Sequence, residues 1–425
     1  MNQSTFIQYI STFWAATVLR LTQRYNGDAN PRPYLFKTML KKVFSTDLKW
    51  SSLSQDNIYV AADVVSMDSS LPLKKRNSVS KTTGAIPKLG MKLYLSESQM
   101  SRLNILRNTP GMESQFIADI FADTDRCLAG INEQLEKMFL EGLSSGVTVI
   151  DDTENVGLGI RIDYGYPASN GFGVAYPWSD PATSTPIDDI ENVLTTASVR
   201  GDAPTIIWMN RSTYNLFISS TQVKSNFYPL VGAISTAAMP NLTRSNVDMM
   251  LTDKFGITIQ VVDRTVMLER DGVRTPYKPW ADNRVVFTAS LEVGSLTYGL
   301  LAEAQNPNKA VSYVTADDYV LLSKWHAVDP YSEFTSSQAL VIPVIDNVFS
   351  IYTIDTDDAE AAVQTEGDAT ISVFGSAAVT VVNLVAELVA VGVNATVAMT
   401  DAQLIKLVNK LSDADEATVR AALGL

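Results

Sequence analysis

The sequence predicts an α+β fold with more than one hydrophobic core, and three observations carry that prediction. A run from Glu113 to about Ser144 keeps apolar residues at helical spacing without a break. Upstream of it, two strand-like runs flank about twenty polar residues. Between residues 185 and 325, strand patterns alternate with helical ones. With 425 residues, 46% apolar and 19% charged, the chain has the composition of an ordered globular protein and the length for two or three domains.

From the N-terminus, Phe6, Tyr9 or Ile10, Phe13, Thr17 and Leu21 recur at helical spacing and predict a short amphipathic helix. No basic stretch precedes it, and Gln8, Ser11, Thr12 and Thr17 interrupt its apolar residues. It therefore reads poorly as a signal peptide and is too short and polar for a membrane span. Two roles stay open for it: packing on its own domain, or an arm laid on a neighbour. Pro31-Arg32-Pro33 breaks this helix, and Leu35–Thr46 has mixed character. Asn57–Val65 reads as a strand, Ser66–Pro87 lacks apolar periodicity, and Lys88–Leu95 is strand-like again. The expectation is a β-hairpin with a polar excursion well beyond ordinary loop length.

The long run places Phe116, Ile120, Cys127, Leu128, Ile131, Leu135, Met138 and Leu143 on one stripe. Asp119, Asp123, Asp125, Arg126, Glu133, Glu136 and Lys137 are expected on the opposite face, and Gly146 stands where a C-cap belongs. About 30 residues at 1.5 Å each span roughly 45 Å, longer than a typical globular helix, so this element is a strut.

Val147–Tyr166 predicts strands and turns, and the aromatic, Gly/Pro-rich stretch Tyr164–Pro181 has a surface loop's composition. Ile187–Thr196 reads as a helix after Pro186, Pro204–Asn210 as a buried strand, and Ser212–Ser219 as a helix capped by Ser212. Ile257–Val262, Arg284–Ala289 and Leu340–Thr353 have strand character. Beyond Asp355 an acidic, Ala-rich linker (Asp355, Asp357, Asp358, Glu360) leads to a strand at Ala369–Phe374. Helices follow at Ala378–Val391, Thr400–Leu411 and Asp413–Leu423, the last two N-capped by Thr400 and Asp413, as an accessory domain or packed tail.

Chemistry-bearing motifs are missing. There is no P-loop, dinucleotide glycine pattern, nucleophile elbow or zinc-ligand spacing. One cysteine, Cys127, excludes an internal disulfide and a thiolate metal cluster, and its place on the apolar stripe predicts a buried, inert thiol. The single histidine, His326, is expected to be structural, and Asp151-Asp152 and Asp357-Asp358 read as solvated carboxylates rather than a metal site. No catalytic residue, metal or cofactor is expected.

Charge is divided instead. Residues 1–109 hold 15 Lys and Arg against 6 Asp and Glu, whereas residues 110–425 hold 18 against 40, giving +9 and −22. Val64–Lys92 alone carries Lys74, Lys75, Arg76, Lys81, Lys88 and Lys92 against Asp68. Lys74-Lys75-Arg76 lacks the interleaved aromatics of a nucleic-acid patch, and the chain as a whole is acidic. One end of a molecule is thus electrostatically suited to the other end of a second copy, which points to self-assembly.

Three stretches carry a family resemblance. Tyr59–Lys92, with Ile86-Pro87-Lys88-Leu89-Gly90-Met91-Lys92, is followed by the strut helix. Trp280–Gly299 contains Asp282-Asn283-Arg284-Val285-Val286-Phe287 and Thr297-Tyr298-Gly299. The last runs from Asp329-Pro330 through Glu333-Phe334, Gln338 and Ile342-Pro343 to Asp346–Ile351. In this order they resemble the major capsid proteins of tailed bacteriophages, most closely the lambda-type capsid protein E family, over roughly residues 35–354.

The resemblance implies the Hong Kong 97-type fold, with an N-terminal arm over 1–50 and a P-domain over 51–184. That domain would carry an E-loop at about 64–90 and a spine helix at about 113–144. An A-domain over 185–325 and a P-domain return over 326–354 follow, and residues 355–425 extend beyond the pattern. The implied function is self-assembly, as hexamers and pentamers, into the icosahedral head shell around a double-stranded DNA genome. Lys74, Lys75, Arg76 and Lys81 of the E-loop, and Phe6, Ile10, Phe13 and Leu21 of the arm, would then meet neighbouring subunits. Some members cross-link neighbours through an E-loop lysine, for which Lys74, Lys75 and Lys81 are candidate amines. Implied partners are a separate scaffolding protein, a portal, decoration proteins and packaged DNA at the inner face, with no membrane. The implied location is the virion, after synthesis in the host cytoplasm. The alternatives are a ligand-binding module or enzyme using Tyr164–Trp178 as a cleft, and a minor phage structural protein.

Overall fold

The computed structural model describes residues 3–27, 33–55, 79–150, 160–227, 242–270, 272–357, 370–373, 377–391, 408 and 413–423. The expected strand Asn57–Val65, the helix Thr400–Leu411, the basic triplet Lys74-Lys75-Arg76 and the pair Asp151-Asp152 lie outside them, as does most of the acidic linker.

One helical run opens the chain: Ile7–Tyr9, a π-helical turn Ile10–Trp14 and Ala15–Asn26, together α1. Helix α2 (Leu35–Met39) passes directly into β1 (Leu40–Phe44). Next come the hairpin strands β2 (Lys49–Gln55) and β3 (Val79–Ala85), then β4 (Lys88–Leu95), α3 (Glu97–Asn108) and the spine helix α4 (Glu113–Ser145). After the hairpin β5 (Val147–Ile150) and β6 (Ile160–Asp163) and the short strand β7 (Gly171–Phe172) stand α5 (Pro186–Val199) and β8 (Ile206–Asn210). Helices α6 (Arg211–Ser219), α7 (Thr221–Phe227) and α8 (Arg244–Phe255) lead to β9 (Thr258–Val262) and the hairpin β10 (Val266–Arg270) and β11 (Val273–Tyr277). The body closes with β12 (Arg284–Thr288), β13 (Gly294–Gly299), α9 (Ala302–Gln305), β14 (Ser312–Ala316), β15 (Val320–Ala327), β16 (Ser332–Ile345) and β17 (Tyr352–Asp355). A last hairpin, β18 (Thr370–Val373) and β19 (Ala377–Thr380), precedes α10 (Val381–Ala390) and α11 (Asp413–Ala422).

Two sheets organise the body. The six-stranded sheet runs β1-β13-β16-β15-β14, with β4 also paired to β16. The five-stranded sheet runs β7-β17-β12-β8-β9. Strands β8 and β12 serve both cores by their period-2 alternation: Trp208 and Val286 join the core of α1, α4 and the six-stranded sheet, while Ile207, Met209, Val285 and Phe287 join the core under α5–α8.

Several expectations are corrected. The hairpin pairs β2 with β3, Lys49 opposite Ala85 to Gln55 opposite Val79, so Val79–Ala85 is a strand inside the stretch read as aperiodic. Lys88–Leu95 is a strand as expected, but it pairs with β16, because the long apolar strand offers it a partner on the spine's sheet. Sheet membership divides the stretch 185–325: β8, β9 and β12 belong to the five-stranded sheet, β13, β14 and β15 to the six-stranded one. Helix α6 is capped by Asn210, whose Oδ1 accepts the Thr213 N–H at 2.8 Å, and the Ser212 hydroxyl itself donates to that oxygen. Residues 377–380 form a strand rather than the start of a helix, because Thr370–Val373 pairs with them. Helix α11 begins at Asp413 itself.

The largest correction concerns α4. Its length and its left-handed end at Gly146, φ 76°, match expectation. Its far face is open to water only in the first half, where Arg126 is exposed; Leu135–Ser144 are all buried, including Glu136, Lys137 and Glu141. A helix buried on every side needs partners for its polar groups, which a one-stripe reading of the sequence does not supply.

Close packing makes one glycine on this scaffold irreplaceable. A Cβ on Gly294, in β13, would lie 2.0 Å from the Val344 carbonyl oxygen of β16, and backbone in mid-sheet cannot yield. Gly294→Ala is expected to cost more than about 3 kcal/mol in denaturant unfolding. Gly111→Ala, at φ +83° with nothing within 4 Å, should cost only about 1 kcal/mol. Equal losses would show that the β13–β16 approach is no constraint.

Candidate assembly surfaces

The base of the β2–β3 hairpin has two unlike faces. Inward, Trp50 is buried opposite Gly84, where a Cβ would meet its indole at 2.7 Å, and its ring lies 6.2 Å from that of Tyr164. The Ser52 hydroxyl donates to the Ile345 carbonyl at 2.6 Å, Ser54 Oγ accepts the Val348 N–H at 3.1 Å, and the Asn347 N–H donates to the Leu53 carbonyl at 3.1 Å. These bonds rivet the hairpin to the end of β16. Outward, the pairs Lys49 and Ala85, Ser51 and Thr83, and Leu53 and Lys81 are all exposed, Leu53 to 56%. Lys81 thus stands on the free face of an anchored hairpin whose connection is residues 56–78, the segment holding Lys74, Lys75 and Arg76.

The arm helix sits differently from its sequence reading. Its buried stripe is Phe6, Ile10, Trp14 and Val18, and Phe13 is 41% exposed. The cause is the π-helical turn Ile10–Trp14, whose extra residue delays the stripe from 13 and 17 to 14 and 18. Phe6 and Tyr9 pack edge-on against Phe116, at 5.7 and 4.8 Å, and the Trp14 indole N–H donates to Thr124. Phe6 and Ile10 are therefore buried inside their own chain, Leu21 is half-buried, and the apolar side chains α1 leaves outward are Phe13 and Leu19.

Charge complementarity, expected between copies, is met in part within the chain. Arg24 pairs with Asp125 at 2.8 Å, Lys37 with Asp317 at 2.7 Å, Lys42 with Asp318 at 3.0 Å and Lys41 with Glu292 at 2.6 Å. Asn26 also donates to Asp317 at 2.7 Å, and Asp317 and Asp318 hold the β14–β15 turn at positive φ. The exposed pairs contribute about 0–1 kcal/mol each, whereas Lys37–Asp317 is mostly shielded from water. Burial, first among the causes, lowers the Lys37 ammonium below its ordinary value.

Beneath this segment, both oxygens of buried Glu136 accept the backbone N–H groups of Leu35 and Phe36, at 3.0 and 3.1 Å, and so cap α2. One turn earlier, Glu133 accepts from Tyr34 and Arg264, and Arg264 lies over the Tyr34 ring. Burial pushes the Glu136 carboxyl up to about 7. Nothing in the spacing of Glu136 announced this role; only the return of residue 35 to the spine creates it.

The remaining chemical candidates are structural. Cys127 is fully buried and burial pushes its thiol up to about 12. His326 is buried opposite Glu333, its ring edge-on to Tyr331 at 4.6 Å. Lys324, fully buried, donates to the Ile120 carbonyl at 2.8 Å, and burial lowers its ammonium to about 8. Tyr164, Val174 and Trp178 lie in the cores, with the Trp178 N–H on Asp189, so the expected aromatic loop is packing and not a ligand cleft. Among the described residues no group of three metal-ligating side chains gathers, and no helix is long and apolar enough to cross a membrane.

Comparison with known proteins matches this architecture. A family model, Phage major capsid protein E, matches residues 17–354. No curated protein matches. Among solved structures, one described as a prophage capsid protein of E. coli CFT073 is 14% identical with a TM-score of 0.51, covering 80% of this chain and 98% of that one. A phage-related protein of Bordetella bronchiseptica RB50 is 13% identical, TM-score 0.44, covering 81% and 98%. The mature capsid of bacteriophage PhiM1 is 9% identical, TM-score 0.41, covering 75% and 86%. The first likeness shows the fold, which is the Hong Kong 97-type capsid fold.

Glu136 generates a pH prediction. The folded chain holds its proton more tightly than the unfolded chain, so its contribution to stability falls as pH rises from 4.5 to about 7. The fall is on the order of 3 kcal/mol. In denaturant unfolding across that window, Glu136→Gln should gain on the wild type as pH rises. A wild-type–variant difference that stays flat would refute the raised carboxyl.

Proposed function

The chain belongs to the phage major capsid protein E family, and we propose that its copies lock into the head shell through the β2–β3 hairpin and the loop it carries. It is a major capsid protein, a structural subunit of the phage head shell, located in the virion. The observation that carries the proposed mechanism is the pair of unlike hairpin faces: one riveted to β16 by Ser52, Ser54 and Leu53, the other offering Lys49, Leu53 and Lys81 outward. An element anchored on one face and basic on the other is fitted to lie across a second copy, where residues 74–76 bring three further cations towards acidic surface.

We assign residues 1–50 to an arm, 64–90 to the E-loop, and 51–184 with 326–354 to a P-domain on the spine helix. Residues 185–325 correspond to the A-domain, and 355–425 to an accessory unit. The arm supplies Phe13 and Leu19 to neighbours, while Phe6 and Ile10 hold it to its own body. Copies form hexamers and pentamers, guided by a separate scaffolding protein and joined by a portal and decoration proteins, around DNA held without sequence specificity. Synthesis takes place in the host cytoplasm. Each exposed ion pair gives about 0–1 kcal/mol, so cohesion comes from many simultaneous contacts, and single misplaced subunits can still dissociate.

Replacing Lys74, Lys75 and Arg76 together with Gln should leave the subunit's unfolding midpoint unchanged and reduce the yield of shells seen by electron microscopy. Wild-type assembly should weaken as salt rises, by screening. Normal shells from the triple variant would remove the loop from the mechanism.

A further inference from the structure

One cluster of reactive groups lies apart from the assembly surfaces, where the end of α1, helix α2 and the β14–β15 turn meet. Asn26, Lys37 and Asp317 there close a ring of hydrogen bonds. The Lys37 ammonium donates to Asn26 Oδ1 at 2.6 Å and to Asp317 Oδ2 at 2.7 Å, and Asn26 Nδ2 donates to Asp317 Oδ1 at 2.7 Å. Amine, carboxamide and carboxylate thus touch pairwise. The carboxamide is turned so that its carbonyl meets the amine and its nitrogen meets the acid. That is the order in which an amine displaces ammonia from an amide: nucleophile on the carbonyl side, proton carrier between nucleophile and leaving group.

The surroundings suit that chemistry. The Lys37 side chain is 13% exposed and that of Asp317 3%. Buried Tyr34, Leu40, Leu296 and Tyr319 line the cavity that these groups share. The Lys37 ammonium lies 6.0 Å from the Tyr34 ring and 5.8 Å from that of Phe36. Burial, the leading cause, lowers this ammonium from its ordinary value and so favours the neutral, nucleophilic amine. Lys42, the other amine beside Asp317, is engaged by the Asp317 carbonyl and the Asp318 carboxylate, at 3.0 Å each. Asn26 itself is exposed, which gives displaced ammonia a way out.

We propose that Lys37 and Asn26 join in an isopeptide bond within one subunit, with Asp317 as the proton carrier. Asp317 takes a proton from the Lys37 ammonium, and the freed Nζ lone pair attacks Asn26 Cγ, one bond from the oxygen it already contacts. Asp317 passes that proton to Nδ2, the Cγ–Nδ2 bond breaks, and the departing ammonia carries off the surplus proton of Nζ. One lysine ammonium and one carboxamide become one amide and one ammonium ion, with no oxidant, reductant or further reactant. The bond ties the end of α1 to α2 and holds the arm on its own subunit. It lies inside one chain, uses none of the E-loop lysines, and stands whether or not copies assemble.

Mass spectrometry of the purified, folded full chain tests it. Trypsin cuts after Arg24 and Lys41, spares the Arg32–Pro33 bond, and cuts after Lys37 only while its amine is free. The expected main product is the peptide 25–41, uncut at Lys37 and lighter than its sequence mass by one ammonia. A peptide 25–37 at full mass would overturn the bond. So would a peptide 25–37 lighter by one ammonia, since ring closure at Asn26-Gly27 loses ammonia but leaves Lys37 open to trypsin. Lys37→Arg and Asp317→Asn should each restore the full mass of the chain. Asparagine matches the shape of Asp317 and tolerates its positive φ, but has no carboxylate to take the proton. A cross-link that persists in Asp317→Asn would remove Asp317 from the step, and the wild-type digest decides the bond whatever the variants do.

Discussion

A helix buried on all sides is the constraint on which the rest of this structure depends. From Leu135 to Ser144 the spine has no free face, so each polar group on it needs a partner within the fold. Glu136 is met by the first turn of α2, Lys137 by Glu141 and the Tyr277 ring, and the Met138 carbonyl by the Thr148 hydroxyl at 2.8 Å. Ser144 Oγ accepts the Ala281 N–H at 3.1 Å. Besides Glu141 of the spine itself, those partners come from the strap before β1, strand β5, the hairpin after β9 and the turn before β12. By satisfying its own buried groups, the spine fixes where each of these segments emerges, and therefore which surfaces a subunit can offer.

The same economy governs charge. The cationic first quarter of the chain is not a free reservoir, because Arg24, Lys37, Lys41 and Lys42 pair with carboxylates of the same molecule. These contacts seat the strap on the β14–β15 turn, while Lys49 and Lys81 stay exposed on the outer face of the β2–β3 hairpin.

Much of the fold was legible in the sequence, and the failures share one cause. The spine's ends, the strand Lys88–Leu95 and the helices expected at 187–196 and 212–219 follow from local periodicity and capping, which a chain carries in its own order, whereas the helices Thr221–Phe227 and Arg244–Phe255 were not foreseen. The hairpin at 266–277 was missed although Asp271-Gly272 between short apolar runs is a strong turn signal. The stripe of the arm slipped by one residue because a π-turn is invisible to a uniform 3.6-residue count. Tyr164 and Trp178, read as loop aromatics, are core because distant segments meet them: β16 accepts the Tyr164 hydroxyl at Pro343, and Trp178 packs on Phe217 and bonds Asp189 of two helices.

By itself the sequence determined part of the element types, the split of charge, the lack of catalytic motifs and the order of segments that resembles phage capsid proteins. Tertiary structure alone decided which strands pair, that β4 joins β16 while β2 turns back on β3, and that Glu136 caps a helix about a hundred residues earlier. The physical reason is range. Periodicity and capping act within a few residues, whereas strand pairing, burial of charge and the pairing of cations with distant carboxylates depend on which segments reach the same place.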